Sequence, residues 1–125
     1  MKQLLFIGVG GFIGSIARYL VSKLNLTWQF YNIPMGTLVV NIIGSLLIGL
    51  ISGLLVHQLT SSENLKLFLI TGICGGFTTF SAFTFENLQL IQTGHTGTAV
   101  IYSIVSVFLG ILAVIGGLWL SKQFA

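Results

Sequence analysis

Four long apolar stretches run along the chain, separated by short polar or aromatic connections. They cover approximately residues 4–24, 34–57, 63–92 and 98–120. Each reaches about 20 residues or more, the length that an α-helix needs to cross about 30 Å of hydrocarbon. The pattern therefore predicts an all-α membrane protein with four transmembrane helices.

The third stretch is interrupted near its middle by glycine, hydroxyl-bearing and aromatic residues. Residues 75–83 read Gly-Gly-Phe-Thr-Thr-Phe-Ser-Ala-Phe. Glycine and threonine are weak helix formers, so we expect the third helix to be broken at its centre. Irregular backbone at membrane depth is tolerated only where it is packed inside protein, faces water or coordinates something. The expected break is therefore the best candidate for an ion site.

The composition changes the picture only by excluding other classes of protein. The 125 residues are 54% hydrophobic and 6% charged, with a mean hydropathy of +1.02, whereas soluble domains have about 25% charged residues. Four spans use nearly the whole chain, so we expect one four-helix transmembrane domain over residues 1–125. The net charge of +3 is too small for a nucleic-acid surface. No nucleophile, base and orienting group converge, which argues against an enzyme.

Small residues and turn signals indicate how the helices pack and begin. Gly10 and Gly14 form a GxxxG pair, and so do Gly49 and Gly53; such pairs let helix backbones approach closely in lipid. The second helix is expected to begin at the only proline, Pro34. The spacing of Thr60 and Glu63 is that of a capping box for the third helix.

The second and fourth helices each carry a polar residue at every fourth position. The members are Thr37, Asn41 and Ser45 on the second helix, and Thr98, Tyr102 and Ser106 on the fourth, with Gly110 continuing the line. Residues four apart lie on one helix face. An unsatisfied amide at this depth costs several kcal/mol, so Asn41 should either face a wet path or bond a neighbouring backbone. Both interpretations stay open.

Two phenylalanines lie beside the hydroxyls of the expected break. Phe80 and Phe83 are three residues apart and share a face, and the edge of a phenyl ring carries the positive part of its quadrupole. We expect no lysine or arginine near the midplane. An anion site there would therefore use ring edges, hydroxyls, an amide and backbone N–H groups.

The five lysine and arginine residues are expected to divide almost evenly between the two sides of the membrane. Lys2, Lys66 and Lys122 fall on one side and Arg18 and Lys23 on the other, which is a weak orientation signal. Insertion in both orientations would allow an antiparallel, dual-topology homodimer.

Two ionisable residues of the bundle have several open interpretations. Glu86 is expected to snorkel, to pair with Arg18 or Lys23, or to line a vestibule. Arg18 is expected to anchor the first helix at the interface.

These features together resemble the Fluc (CrcB) family of fluoride channels over essentially all 125 residues. The resemblance rests on the glycine-rich first helix with Arg18, on Gly-Thr-Leu-Val-Val-Asn at residues 36–41, and on the run at residues 75–83. It implies a fluoride-selective channel that exports fluoride passively and confers fluoride resistance. It also implies an antiparallel homodimer with two pores in the cell (inner) membrane.

The same resemblance implies the roles of particular residues. The fluoride pore would be lined by Asn41, Phe80, Phe83, Thr79, Ser81, Tyr102 and Ser106. A structural sodium ion at the dimer centre would be held by the backbone carbonyls of Gly75 and Thr78. Ala82 and Gly110 depart from the family, which usually has a hydroxyl-bearing residue at the first position and often has serine at the second.

Two other functions remain as alternatives. A small proton-coupled multidrug exporter also has four helices, but it needs a carboxylate deep in the bundle, and Glu86 is off-centre. A non-transporting assembly subunit would explain the glycines and serines but not the pairing of Phe80 and Phe83 beside a break.

Overall fold

The computed structural model describes residues 1–58 and 62–124. Within them, four helical stretches are long and apolar enough to cross a membrane: Lys2–Thr27, Met35–His57, Glu63–Gln92 and Thr96–Gln123. The prediction of four spans is therefore confirmed. The fourth span is longer than expected at both ends.

The first span and the connection after it are more regular than the sequence indicated. They contain α1 (Lys2–Ser22), α2 (Leu24–Thr27), β1 (Gln29–Phe30) and β2 (Ile33–Pro34). The two strands pair antiparallel, joined by Tyr31 and Asn32 with φ of 52° and 65°. Two successive left-handed residues are what a two-residue type I′ turn requires. The predicted connection is thus a tight hairpin.

The second span is a single helix, α3 (Met35–His57). It begins one residue later than predicted, because Pro34 keeps an extended conformation (φ −75°, ψ 92°) as the last residue of β2. The proline therefore ends the hairpin and precedes the helix instead of forming its first turn.

The third span contains four helical segments of two kinds. They are α4 (Glu63–Lys66), a π-helix (Leu67–Cys74), α5 (Gly75–Phe77) and α6 (Phe80–Gln92). The Ser62 side chain caps α4 by accepting a hydrogen bond from the Leu65 N–H at 3.2 Å. The predicted cap at Thr60 lies outside the described residues. The sequence did not predict the π-helix, because its apolar pattern also suits an α-helix.

Two residues with extended backbone separate α5 from α6. Thr78 has φ −76° and ψ 156°, and Thr79 has φ −149° and ψ 119°. The Thr79 hydroxyl accepts a hydrogen bond from the Ala82 N–H at 3.1 Å, so it caps the first turn of α6. The segment Thr78–Thr79 consequently starts a new, capped helix inside the span.

Glycines bring α1 into backbone contact with the third span. A Cβ atom added at Gly10 would lie 2.9 Å from the Gly72 Cα, and one added at Gly14 would lie 2.9 Å from the Phe77 nitrogen. Real Cβ atoms do not approach other atoms so closely. The predicted close packing at this GxxxG pair is confirmed.

A second glycine contact joins α3 to α7 (Thr96–Gln123). A Cβ added at Gly53 would lie 2.6 Å from the Ser121 Cβ, and one added at Gly117 would lie 2.6 Å from the Leu50 nitrogen. The two helices are therefore held together along their second halves, beyond the expected polar stripes.

The buried core lies at the end of the bundle next to the hairpin. It is formed by Ile33, Leu38, Leu90, Ala99 and Tyr102, with Phe83 packed against it. Elsewhere many large apolar side chains are exposed, as expected of a chain surrounded by lipid. The core thereby holds Phe83, which lies near the Thr78–Thr79 segment.

Candidate functional site

Asn41 on α3 bonds the backbone of Thr79 in both directions. Its Nδ2 donates to the Thr79 carbonyl at 3.0 Å, and the Thr79 N–H donates to its Oδ1 at 2.8 Å. A carboxamide presents the same donor and acceptor as a peptide group, so it satisfies backbone that has left the helix. The interpretation that Asn41 hydrogen-bonds a neighbouring backbone is therefore confirmed.

A groove of about 300 Å³ lies between α3, the Thr78–Thr79 segment, α6 and α7. We call it the central groove. It is lined by Asn41, Ser45, Ile48, Thr78, Thr79, Phe80, Phe83, Ser106 and Val107. These described lining residues include no charged side chain. The structure thus collects five of the proposed pore residues: Asn41, Thr79, Phe80, Phe83 and Ser106.

The two phenyl rings of the groove are held differently. Their centroids are 5.9 Å apart at an interplanar angle of 40°. Phe83 also meets the Tyr102 ring edge to face, at 5.1 Å and 69°, so its orientation is fixed by the core. Phe80 is 75% exposed and lies at the surface of the single chain.

Ser106 has a hydroxyl without a partner. Its Oγ is buried and makes no hydrogen bond in the part of the chain that the structure describes. Leaving a buried hydroxyl unsatisfied costs about 1–3 kcal/mol, and such a group in a native structure calls for an explanation. Because Ser106 lines the central groove, its orphan hydroxyl lies at the edge of that space.

Two proposed pore residues lie outside the central groove. Tyr102 is fully buried, and its hydroxyl donates to the Glu86 Oε1 at 3.1 Å. Ser81 is exposed, with its Oγ 3.4 Å from the Thr79 Oγ1. Tyr102 therefore reaches the groove only through its ring contact with Phe83.

Glu86 is the centre of a hydrogen-bonded cluster. Its Oε2 accepts from the Thr37 hydroxyl at 2.8 Å and from the Asn25 Nδ2 at 3.2 Å, and its Oε1 accepts from Tyr102. We call Asn25, Thr37, Glu86 and Tyr102 the Glu86 cluster. The carboxylate thus accepts its hydrogen bonds from neutral donors, and of the interpretations left open, the structure supports the one in which Glu86 lines a cavity.

Arg18 on α1 reaches the backbone beside the Thr78–Thr79 segment. Its Nε donates to the Gly76 carbonyl at 2.9 Å. The expected role of Arg18 as an interfacial anchor stays a prediction, and the sequence did not indicate this contact with the third span. The contact results from the glycine packing between α1 and the third span, which carries Arg18 to within hydrogen-bonding distance of α5.

A second cavity opens beside Arg18. It has a volume of about 410 Å³, and its lining includes Arg18, Lys23, Asn25, Thr37, Thr79 and Glu86. We call it the Arg18 cavity. Thr79 borders both this cavity and the central groove, so the residue held by Asn41 lies between them.

The carbonyls of Gly75 and Thr78 have lost the donors that an α-helix would supply. In a continuous helix they would accept from the N–H groups of Thr79 and Ala82. Those N–H groups donate instead to the side chains of Asn41 and Thr79. Carbonyl oxygens freed where a helix unwinds suit a hard cation such as Na⁺. The donor set therefore fits the ion implied by the resemblance.

Sequence reasoning missed Asn25 and the backbone contact of Arg18. Asn25 was included in a connection, and no pattern distinguished it from other polar loop residues. One signal could have drawn attention to Asn25: it follows closely after α1, which carries a GxxxG pair. Such a helix packs tightly against its neighbours, so a polar residue just beyond its end can reach their side chains.

Known proteins resemble this chain over nearly its whole length. The family model described as CrcB-like protein, Camphor Resistance (CrcB), matches residues 5–118. A protein of Flavobacterium psychrophilum is 46% identical over 123 residues, 98% of this chain and 99% of that protein. A protein of Azobacteroides pseudotrichonymphae is 42% identical over 124 residues, 99% of each chain. Both are named fluoride-specific ion channel FluC.

A relative from Rhizobium meliloti has the same name and is 42% identical over 122 residues, 98% of each chain. Identity at this level over nearly the full length, together with a family match that includes the central groove and most of α1 and α7, shows that the chain belongs to the CrcB family.

Proposed function

We propose that this protein is a fluoride channel, which lets fluoride leave the cell passively and so confers fluoride resistance. The observation that carries the proposal is the unpartnered Ser106 hydroxyl in an uncharged groove with Phe80 and Phe83. The names of the full-length relatives support it.

The chemistry of the central groove suits a small anion that forms strong hydrogen bonds. Ser106 offers an O–H donor, Asn41 has a second amide hydrogen beyond the one used on Thr79, and the two rings offer positive edges. Without a fixed charge in the lining, the anion would be bound weakly enough to leave again, as conduction requires.

We assign the remaining pore residues supporting parts. Thr79 lies where the Arg18 cavity meets the central groove, so fluoride would pass it on entry. Tyr102 would act through its ring contact with Phe83. Ser81 would extend the track beyond Thr79, from the exposed side of α6.

The functional unit in this proposal is an antiparallel, dual-topology homodimer in the cell (inner) membrane, with two pores. The exposure of Phe80 and of Gly75 supports it, because both residues belong to the segment that would face an inverted copy. The third span would act as a broken helix at the membrane centre. A structural Na⁺ held by the Gly75 and Thr78 carbonyls of both copies would join the two breaks.

The orientation of the copies has a direct test. A reporter fused to the C-terminus should be found on both sides of the membrane in comparable amounts. A reporter found on one side alone would contradict dual topology.

A proton-coupled exporter is not favoured by the position of the carboxylate. Glu86 is bonded to three side chains in its cluster and is absent from the described lining of the central groove. Fluoride efflux that required a proton gradient would favour the exporter instead.

The decisive experiment is passive efflux from liposomes that contain only this protein. Fluoride release, followed with an ion-selective electrode under a potassium–valinomycin voltage clamp, should be rapid, while chloride release stays at the level of empty liposomes. No fluoride release, or equal release of both anions, would overturn the proposal.

A further inference from the structure

Asn25 and Glu86 form a wall between two cavities. Both side chains line the Arg18 cavity, and both line a smaller cavity of about 240 Å³ next to the hairpin. Apart from these two, the smaller cavity is lined by Gln29, Asn32, Pro34, Gln89, Leu90 and Thr93. The hydrogen bond between Asn25 and Glu86 therefore lies at the boundary of the two spaces.

The Asn25 side chain ties three elements together at this boundary. Its Oδ1 accepts from the Thr37 N–H at 3.1 Å. Its Nδ2 lies 3.0 Å from the Thr37 Oγ1 and 3.2 Å from the Glu86 Oε2, donating to both. The Thr37 N–H belongs to the first turn of α3, which has no intrahelical acceptor. One carboxamide on α2 thus holds the start of α3 and the carboxylate of α6.

The position of the carboxylate matters because of the charges around it. The Arg18 cavity leads to Thr79 and carries the cations of Arg18 and Lys23 in its lining, which would attract an anion. A carboxylate accepts hydrogen bonds and donates none when ionised, so it cannot bind fluoride directly. Glu86 lies at the edge of this cavity, and a side chain released further into it would oppose the two cations and repel the anion more strongly.

We propose that Asn25 is a positioning residue that holds the Glu86 carboxylate back at the boundary of the Arg18 cavity, so that its charge stays farther from the path of fluoride than a released side chain would. The inference rests on the proposed function. It concerns a residue outside the central groove that acts through Glu86.

The test is fluoride flux in liposomes as a function of fluoride concentration. Asn25→Ala should raise the concentration for half-maximal flux about fourfold, the effect of letting the carboxylate move from about 11 Å to about 7 Å from the ion at an effective dielectric constant near 20. Maximal flux should stay within about twofold, because the groove itself is unchanged. Unchanged half-maximal flux would overturn the proposal.

A second substitution separates a charge effect from loss of a structural contact. In Asn25→Ala/Glu86→Gln the freed side chain is neutral, so the half-maximal concentration should return to that of Glu86→Gln alone. If Asn25 only supports α3 through Thr37, the double variant will stay as impaired as Asn25→Ala, and the proposal fails.

Two further variants complete the test. If Asn25→Ala does not fold, Asn25→Ser keeps a small neutral polar group near the Thr37 N–H but is too short to reach Glu86 as well; it should show the same rise and the same rescue by Glu86→Gln. Gln89→Ala removes another carboxamide from the smaller cavity and should match the wild type.

Wild-type protein without fluoride flux would refute the proposed function itself, whereas normal wild-type flux with an unaffected Asn25 variant refutes this inference alone.

Discussion

The Asn41 side chain and the Thr79 peptide group hold each other by two hydrogen bonds, of 3.0 and 2.8 Å. The pair fixes the backbone where α5 ends and α6 begins. It also places the Asn41 amide in the lining of the central groove. One side chain thus serves the fold and the site, which makes its replacement informative.

Asn41→Asp should impair both stability and transport. The aspartate keeps an acceptor for the Thr79 N–H but loses the donor to the Thr79 carbonyl and adds a negative charge to the groove. We expect fluoride efflux to fall by at least about tenfold and the free energy of unfolding to drop by about 1–3 kcal/mol. Efflux from liposomes and thermal unfolding in detergent measure the two effects.

The matched control for Asn41→Asp is Asn64→Asp, which lies on α4 and outside the groove. Equal efflux in both variants would remove Asn41 from the pore.

Phe80→Ile should abolish efflux while the protein still folds. Isoleucine retains apolar volume but has no ring edge for an anion, and Phe80 is 75% exposed in the single chain, so few contacts are lost. Phe85→Ile changes an exposed ring on the same helix and should leave efflux unchanged. Wild-type flux in Phe80→Ile would show that the ring is dispensable.

Ser106→Ala should make the protein more stable and the channel slower. Removing a buried hydroxyl that has no partner among the described residues relieves a desolvation penalty of about 1 kcal/mol, and it also removes a proposed fluoride donor. The opposite result is expected for Ser103→Ala, because the Ser103 hydroxyl bonds Asn87 and the Ala99 carbonyl at 3.0 and 2.9 Å. That variant should lose stability and keep its flux. A Ser106→Ala channel with unchanged flux would contradict the role of the orphan hydroxyl.

Gly10→Ala should destabilise the bundle by about 1–3 kcal/mol, the usual cost of overpacking. The added methyl group would lie 2.9 Å from the Gly72 Cα and would separate α1 from the π-helix. Gly8→Ala, two residues away, meets no described atom within 4 Å and should be neutral. Thermal unfolding in detergent compares them, and equal stability of the two variants would exclude this packing role.

Replacement of Na⁺ by the bulky cation N-methylglucamine during purification and assay should slow fluoride flux and promote dissociation of the proposed dimer. The freed carbonyls of Gly75 and Thr78 would then face one another without a cation between them. Flux and size-exclusion profile follow the two effects, and re-addition of Na⁺ should restore both. Insensitivity of both to Na⁺ would argue against the structural ion.

The sequence predicted the spans well because lipid imposes a simple length and polarity rule on each of them. It also predicted the contact at Gly10, since small residues at four-residue spacing have few other uses in lipid. The hairpin turn at Tyr31 and Asn32 was not foreseen, because neither residue is the glycine that usually marks left-handed backbone.

The site was predicted less completely because residue spacing fixes a helix face only approximately. Steps of four residues rotate by about 40° each around a helix with 3.6 residues per turn. Tyr102 and Ser106 therefore point in different directions, one to Glu86 and one to the central groove. The contacts of Arg18 and Asn25 depend on how α1 and α2 pack against distant segments, and no local pattern contains that information.

The Arg18 cavity, with the Glu86 cluster in its lining, borders the central groove at Thr79, so the two ends of a single route are chemically unlike. One such route by itself would carry more current in one direction than in the other. In an inverted pair the two routes point oppositely, and their rectification would cancel. A tandem dimer with one groove disabled should therefore reveal a curved current–voltage relation that the intact pair conceals.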